Sequence, residues 1–359
     1  MNTTRQWSNA FSSCVRRLAG RISSRRLSSV LTVVLPAIAV LLAVPSSAQQ
    51  PPAIGPEMYA VPHLFALSTA TTTRQFGMGG ITTCIEDVGF PNPAFAGMLD
   101  RPRAGLRHSR TDFSAGLKLR GTQAWYAQEV GSGEGMQIMG FILDSNRGGT
   151  TIPGLQLDTK ETDFAIHYGR RISDQWLLGV GLAPVLTTTT RLYDPAGNQI
   201  ARWDSKATYG LRFGALYQFQ PEGLAGLVFD YYREDVTFQP PVPGAPAQDL
   251  DFDSTTFAIG VSNRLADNLI GAIEWMQLRA EAGNLKTDTE GLSLGIEYDA
   301  APGVLMRIGS RDGALTLGAG YTGEGWVANY AFINDWNDGD VGDLFGSSDT
   351  HQLEVGYHW

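Results

Sequence analysis

Apolar residues alternate with small, polar or charged residues through many runs of this chain. In the stretch TYGLRFGALYQFQ, Leu211 and Phe213 fall on one face of an extended chain and Arg212 falls on the other. The same alternation recurs in GLSLGIEY, VLMRIG, LTLGAGY, TFAIGVS and DFAIHYGR. The runs approach the roughly 10 residues that a tilted membrane-crossing strand needs. The pattern predicts strands with one face toward lipid and the other toward a lumen.

The connections between these runs alternate between short and long. Short ones read GSGEG, QPEGLA and TGEG, whereas long ones read SNRGGTTIPGLQLDTK, TTTTRLYDPAGNQIARWD, RAEAGNLKTDTE and NDWNDGDVGDLFGSSDT. Outer-membrane barrels have short periplasmic turns and longer external loops. We therefore predict an all-β protein, a transmembrane antiparallel β-barrel of about 14 strands within residues 103–359. The external GSRDGAL connection breaks the length rule, and the strands before Leu143 alternate less cleanly.

The predicted register turns six charged side chains away from lipid. A Lys or Arg on the lipid face costs about 2–4 kcal/mol at the membrane midplane, so such residues are expected to face inward. The expected lumen charges are Arg212, Asp230, Glu274, Glu297, Arg307 and Glu354.

The first 48 residues read as an export signal. An Arg-rich start precedes the apolar stretch VLTVVLPAIAVLLAV, and small residues precede a cut after Ala48. A membrane anchor is the alternative, but the apolar run is short for the roughly 20 residues of a span. Removing the six Arg of this segment changes the net charge from −9 to (27 − 6) − 36 = −15. Such an acidic chain is not expected to bind nucleic acid, and Cys84 alone remains, without a disulfide partner.

Residues 49–102 do not alternate and form a segment ahead of the barrel. Its main motif is RQFGMGGITTCIEDVGFPNPAFAGML. The GMGG part lacks the Lys–Ser/Thr ending of a phosphate-binding loop. Pro93 keeps Asn92 out of a helical conformation, which predicts a rigid turn. Taken alone, the segment reads either as this kind of built turn or as a glycine-rich linker.

A GMGG turn, paired acidic residues and an NPA turn ahead of an alternating barrel resemble the superfamily of outer-membrane long-chain fatty-acid transporters, including the related type IX secretion shuttle proteins. The ending WVANYAFINDW…SSDTHQLEVGYHW is also similar to the last two strands of those relatives, with Asn329 where Asp is usual. Cys84, Ile85 and Phe90 depart from the small residues usual near the turn. The matching residues are Gly77, Met78, Gly79, Gly80, Glu86, Asp87, Asn92, Pro93 and Ala94.

The resemblance implies a fourteen-stranded barrel in the outer membrane of a Gram-negative-type bacterium, with residues 49–102 as a plug. It implies passive uptake of hydrophobic compounds such as long-chain fatty acids. A protein-binding barrel, acting as a secretion shuttle or an assembly scaffold, is the alternative. The expected partners are outer-membrane lipid, the barrel-insertion machinery, a hydrophobic ligand and, under the alternative, a secreted or envelope protein. By the same resemblance the insertion machinery reads the closing strand, whose outward residues are Leu353, Val355, Tyr357 and Trp359.

The sequence contains no recognised catalytic or zinc-binding motif. The five His show no zinc spacing, and no G-x-S-x-G occurs. We therefore expect neither enzyme activity nor a metal or cofactor. The stretch NDWNDGDVGD, with Asp335, Asp338, Asp340 and Asp343, reads either as a solvated acidic loop or as a calcium loop. Nearby apolar side chains form a candidate external entry site: Trp336, Leu344 and Phe345.

Overall fold

A computed structural model describes residues 71–87, 89, 91–240, 246–282, 285–335 and 344–359. The predicted signal peptide and residues 49–70 of the plug segment lie outside these ranges. Fourteen antiparallel strands form one closed barrel, because the last strand pairs with the first and β3 pairs with β5 across a longer connection. A two-residue strand, β4, adds to β5. The predicted fold class and strand number are confirmed.

The strands follow one another around the barrel in chain order. Their bounds are β1 Arg103–Phe113, β2 Lys118–Gly131, β3 Glu134–Ser145, β4 Gly148–Gly149, β5 Gln156–Arg171, β6 Trp176–Tyr193, β7 Gln199–Gln220, β8 Gly223–Gln239, β9 Gln248–Ala266, β10 Leu269–Ala282, β11 Leu285–Ala301, β12 Val304–Arg311, β13 Ala314–Gly323, β14 Trp326–Asn334 and β15 Ser348–His358. The rim with Arg103 and His358 is called the near rim, and the opposite rim is called the far rim.

The two faces of β15 show the predicted alternation. Leu353 and Val355 are 56% and 50% exposed on the outer surface, whereas Gln352 and Glu354 are buried inside the barrel. A row of exposed aliphatic and aromatic side chains is stable only against an apolar medium such as lipid tails. The register therefore matches the one read from the sequence.

The strands that alternate poorly in sequence, β2 and β3, have apolar residues on both faces. Trp125 and Ala127 of β2 point inward and are buried, and Leu143 of β3 does the same. Their inward neighbours include parts of the plug and of a second apolar cluster described below. An apolar inner face hides the period-two signal, because both faces then look alike to a hydropathy pattern.

Several segments expected as long loops are strands instead. β6 and β7 continue to a short turn at residues 194–198, so most of the predicted loop TTTTRLYDPAGNQIARWD is paired sheet. β10 and β11 likewise cover nearly all of RAEAGNLKTDTE. The Thr-rich run 187–190 favours extended backbone, since β-branched side chains pack well on a pleated surface. The long-loop predictions at these two places were wrong.

The plug contains two short helices inside the barrel. Helix α1, Thr73–Gly77, begins with a capping box in which Thr72 and Gln75 bond each other's backbone. A 3₁₀ helix, Pro93–Met98, begins at Asn92, whose side chain accepts from Ala94 N. Among the described residues, no helix is long and apolar enough to cross a membrane.

Candidate functional site

The plug fills the near-rim half of the lumen with an apolar core. Met78, Ile81 and Phe95 are completely or almost completely buried, and they pack in one cluster with inward-facing Leu177 and Leu216 of the wall. Leu216 follows Gly210, Arg212 and Gly214 on the inner face of β7 and is the bulky apolar residue of this series. Its burial against the plug shows why that position is not glycine or polar.

Glu297 of β11 joins the plug to the wall through two arginines. Its carboxylate accepts from Arg74 of α1 at 2.9 and 2.6 Å and from Arg307 of β12 at 2.6 Å. Arg307 also donates to Asn329 Oδ1 at 2.9 Å. Such charge-assisted, bidentate bonds are short and directional. They fix α1 against the β11–β12 side of the barrel.

The other predicted lumen charges also lie inside and bond the plug. Glu274 accepts from the backbone N–H groups of Thr82 and Thr83 at 2.8 and 2.7 Å. Glu354 accepts from Thr73 N at 3.0 Å and from Arg107 at 2.9 Å. Buried carboxylates need such donors, because an unpaired buried charge is strongly destabilising.

Arg212 secures the opposite part of the plug. It pairs with Asp230 of the neighbouring strand and donates to the carbonyl of Pro91 at 3.1 Å. Asn92 then bonds Thr83 O at 2.8 Å, which ties two parts of the plug together. All six predicted lumen charges thus face inward, and each of them bonds the plug directly or pairs with a residue that does.

The glycine turn makes the closest approach of plug to wall. Gly79 and Gly80 have φ of 86° and 77°, in the left-handed region that favours glycine. A Cβ on Gly79 would lie 2.7 Å from the carbonyl oxygens of both Leu294 and Ser310. Thr316 accepts from Gly79 N at 3.0 Å and donates to Gly77 O at 3.1 Å. The turn therefore requires glycine for backbone angle and for space.

The paired acidic residues take different partners. Asp87 accepts from Arg74 N at 3.3 Å, and Glu86 bonds Arg103 at the start of β1 at 3.2 Å. Cys84, between the glycine turn and this pair, is buried, and Ser262 donates to its carbonyl at 2.7 Å. Burial, with the nearby Glu274 carboxylate, raises the pKa of the Cys84 thiol to about 12.

The far-rim half of the lumen holds a second apolar cluster, called the far-rim cluster. Its buried members are Phe113, Leu117, Leu119, Leu143, Leu155, Leu157, Leu192, Ala201, Trp203, Val236, Phe238, Leu344 and Phe345. Leu344 and Phe345 come from the connection between β14 and β15, and both are fully buried. Their carbonyls accept from Thr151 N at 2.8 Å and Ala115 N at 3.1 Å. This connection therefore seals the mouth with apolar side chains.

This arrangement differs from the expected exposed entry site. Leu344 and Phe345 do not present apolar surface to the exterior, because they pack onto Phe113 and its neighbours. Trp336, Asp338, Asp340 and Asp343 lie outside the described residues, and Asp335 is exposed. No group of acidic, His or Cys side chains suited to a metal ion occurs among the residues that the structure describes.

A central chamber of about 190 Å³ separates the plug from the far-rim cluster. Thr72 and Pro91 of the plug line its floor, and Phe141, which packs against the far-rim cluster, lines it as well. Its wall mixes polar side chains with apolar ones such as Val228 and Met276. The chamber can accommodate a small molecule that has both kinds of surface.

The pairing of strands β6 and β7 in the barrel wall is interrupted beside this chamber. The paired register of β6 and β7 ends at Ala183 and Gly210 and resumes at Thr189 and Asp204. The stretch between them, 184–188 facing 205–209, is called the β6–β7 gap. Within it Thr188 N donates to the Ser205 hydroxyl at 2.7 Å, a side-chain bond in place of a ladder bond.

The chamber extends to this gap. Leu182 and Leu211 face outward and are 44% and 40% exposed, yet they line the same chamber as inward-facing Arg212. The register is irregular on both flanks, at Phe164–Ile166 against β6 and at Ser205–Ala207 against β8. The chamber therefore borders the β6–β7 gap.

Two features of this site were missed in the sequence. Pro184 lies in the interior of β6, where the missing N–H weakens pairing, and proline inside a strand is a recognised sign of a bulge or break. Trp125 is a large aromatic on an inward position, and the poor alternation of β2 was its only sequence signal.

Comparisons with known proteins agree with the geometry at the level of fold. No family model matches the chain, and no curated protein matches it. The toluene transporter TbuX of Ralstonia pickettii superposes with a TM-score of 0.57 at 14% identity, covering 82% of this chain and 100% of TbuX. The Pseudomonas putida toluene transporter TodX gives 0.55 at 12%, covering 79% and 96%. A FadL homologue of Pseudomonas aeruginosa gives 0.54 at 11%, covering 80% and 98%. The chain therefore has the barrel fold of these toluene transporters and of the FadL homologue.

Proposed function

We propose that this protein is an outer-membrane barrel for passive uptake of hydrophobic compounds, without enzyme activity. The near rim then faces the periplasm, because the short turns lie there, and the far rim faces outside. The observation that carries the proposal is the chamber that runs from beneath the far-rim cluster to the β6–β7 gap, where outward Leu182 and Leu211 line it. The similarity in fold to toluene transporters and a FadL homologue supports the same class of cargo.

The geometry favours a route that leaves through the wall. The plug is bonded to the wall by charged and backbone groups on several sides, so a path through it would break several buried bonds. A path from the chamber through the β6–β7 gap would break the Thr188–Ser205 bond, at a place where the ladder between the two strands is interrupted. A hydrophobic compound released there enters lipid directly, which avoids exposure of apolar surface to water.

The test is uptake of radiolabelled toluene and of a labelled long-chain fatty acid by cells that carry the protein. Ala258→Phe adds a ring at a buried position of the chamber wall. Ala319→Phe, the matched control, adds the same ring on the exposed outer face. We expect the first variant to lower the uptake rate at least severalfold and the second to retain it, at equal amounts of folded barrel. Equal uptake by cells with and without the wild-type protein would contradict the proposal.

A protein-binding barrel, as in a secretion shuttle or scaffold, is the second candidate function. The observation in its favour is that the plug and the far-rim cluster fill both ends of the lumen. Native mass spectrometry of the purified protein, followed by lipid extraction, separates the two candidates. A hydrophobic molecule retained at one per barrel supports uptake, whereas a retained protein subunit with no such molecule supports the alternative.

A further inference from the structure

One side of the chamber is polar, and the opposite side combines apolar and polar residues. Inward residues of three adjacent strands, β2, β1 and β15, form the polar side, called the polar face: Arg107, Ser109, Gln123, Trp125 and Gln352. The register places Arg107 beside Gln123, and Ser109 beside Gln352. Across the barrel, β8, β9 and β10 contribute Val228, Ala258, Met276 and Leu278. The same strands also contribute the polar residues Asp230, Ser254 and Thr256, so a bound molecule meets both apolar surface and hydrogen-bonding groups there.

Three buried polar atoms of this polar face lack a hydrogen bond. They are Trp125 Nε1, Arg107 Nε and Gln352 Oε1, and none has a partner within the part of the chain that the structure describes. Their residues are only 4%, 6% and 2% exposed. A buried polar atom without a partner costs free energy, so such atoms are usually satisfied by water or by a ligand. Three of them on one wall of a chamber indicate a place for a polar group.

The charge at the polar face is already balanced. Arg107 donates to Glu354 at 2.9 Å and to Gln123 Oε1 at 2.6 Å, which leaves its Nε as an additional donor. A neutral hydroxyl can accept from Trp125 Nε1 or Arg107 Nε, or donate to Gln352 Oε1. A hydrocarbon satisfies none of these atoms, and a carboxylate cannot donate to Gln352. The atoms at the polar face thus match a hydroxyl best.

We propose that the chamber is a binding site for hydroxylated apolar compounds, such as phenols and alcohols. The hydroxyl bonds the polar face, and the ring or chain packs against the wall formed by β8, β9 and β10. This inference rests on the proposed uptake function and narrows its cargo. It assigns to Trp125 the role of a specificity-determining donor.

The test compares two ligands that differ by one group. p-Cresol carries a hydroxyl where p-xylene carries a methyl group of similar size. Binding of each to the full-length protein in nanodiscs is measured by equilibrium dialysis, with empty nanodiscs as the correction for partition into lipid. Trp125→Phe keeps an aromatic ring and removes the N–H. Trp275→Phe, on the lipid-facing side of β10, is the matched control.

We expect the wild-type protein to bind p-cresol about tenfold more tightly than p-xylene after this correction, since the hydroxyl gains a hydrogen bond to a buried group of the polar face. Trp125→Phe should weaken p-cresol binding about three- to tenfold and change p-xylene binding less than twofold. Trp275→Phe should change neither. Gln352→Met provides the same test through the acceptor if the first variant does not fold.

Two outcomes would contradict different parts of the proposal. Equal affinity for both compounds, unchanged by Trp125→Phe and Gln352→Met, would overturn the polar-face assignment and leave the proposed uptake function intact. Failure of both compounds to bind the wild-type protein would contradict the uptake function itself, and with it this inference.

Discussion

At the scale of single residues, the interior of this barrel is organised around buried ion pairs. Glu297 is the clearest case, because one carboxylate neutralises Arg74 of the plug and Arg307 of the wall. Glu297 and Arg307 are almost wholly buried, so water does not screen this attraction. Removing one member of such a set leaves an uncompensated buried charge, which is far more costly than losing a surface pair.

Glu297→Gln should therefore destabilise the folded protein by about 3–5 kcal/mol, since two buried cationic side chains would then lose the carboxylate that bonds both of them. Glu281→Gln is the matched control, because Glu281 pairs with Lys286 at 3.0 Å on the exposed surface. The control should cost less than about 1 kcal/mol. Unfolding in detergent by urea, followed by near-ultraviolet circular dichroism, measures both values. Similar losses for the two variants would contradict the role of Glu297.

Residue-level reasoning from sequence found the inward charges but not their partners. The inward side of Glu297 and Arg307 follows from period-two alternation alone, since the neighbouring positions are apolar. That Arg74, more than 200 positions earlier, completes the pair depends on how the plug sits in the lumen. No local pattern encodes such a contact. The inward position of Trp125 was not predicted for a related reason: β2 has apolar residues on both faces, so its sequence does not alternate between apolar and polar residues.

At the scale of elements, the glycine turn of the plug has a near-match elsewhere in the fold. Gly79 and Gly313 both have positive φ, 86° and 91°. A Cβ on Gly313 would meet nothing within 4 Å, whereas on Gly79 it would press on two carbonyl oxygens of the wall. Alanine substitutions at Gly79 and Gly313 therefore separate the cost of backbone strain from the cost of steric crowding.

Gly313→Ala should cost only the left-handed backbone strain, about 1–2 kcal/mol. Gly79→Ala adds a steric clash and should cost about 1–3 kcal/mol more. Gly79→Ala should also make the plug sensitive to added protease, because the turn can no longer pack against the backbone of β11 and β12. The temperature at which the folded band disappears on gels, together with proteolysis, measures these effects. A plug equally protected in both variants would count against the tight fit.

The closing strand makes a separate prediction at this scale. Trp359 is 56% exposed and stacks on Tyr357 with ring centroids 5.9 Å apart. Deleting Trp359 should lower the amount of protein assembled in the outer membrane severalfold, if the insertion machinery reads this terminus. Trp326→Ala is the control, since Trp326 is a similarly exposed aromatic near the same rim. Immunoblots of outer membranes measure the amount of each variant. Equal amounts of the two would argue against Trp359 as a specific assembly signal.

Elements were predictable where one face was apolar and the other was not. The strand number and the inward register followed from this rule, because lipid and lumen demand opposite surfaces. The far-rim half of the β6–β7 hairpin was read as a loop. Its sequence is rich in polar residues, so it lacks the apolar face that marks the other strands. Leu344 and Phe345 were read as an exposed entry site because a sequence does not show which cluster they pack into.

At the scale of the whole molecule, the chamber lies between the two filled ends of the barrel and beside the β6–β7 gap. The plug fills one end, the far-rim cluster fills the other, and the ladder between β6 and β7 is interrupted beside the chamber. Closure of the fourteen-stranded sheet was predictable from the alternation of short and long connections and from the apolar face of the last strand. The gap was not, because it depends on coordinated irregularities in three adjacent strand pairs.

The most direct test of this account is a disulfide across the gap. Thr188→Cys with Ser205→Cys joins β6 to β7 at the one side-chain bond described there. Thr159→Cys with Thr190→Cys is the matched control, since these hydroxyls lie 2.9 Å apart on the normally paired β5 and β6. Cys84 is buried with a raised thiol pKa, so it competes little for oxidation at neutral pH.

The measurement is uptake of labelled toluene before and after oxidation, and again after reduction. The account predicts that oxidation lowers uptake severalfold in the gap variant only, and that reduction restores it. Unchanged uptake with the gap cross-link fully formed would contradict a route through the β6–β7 gap.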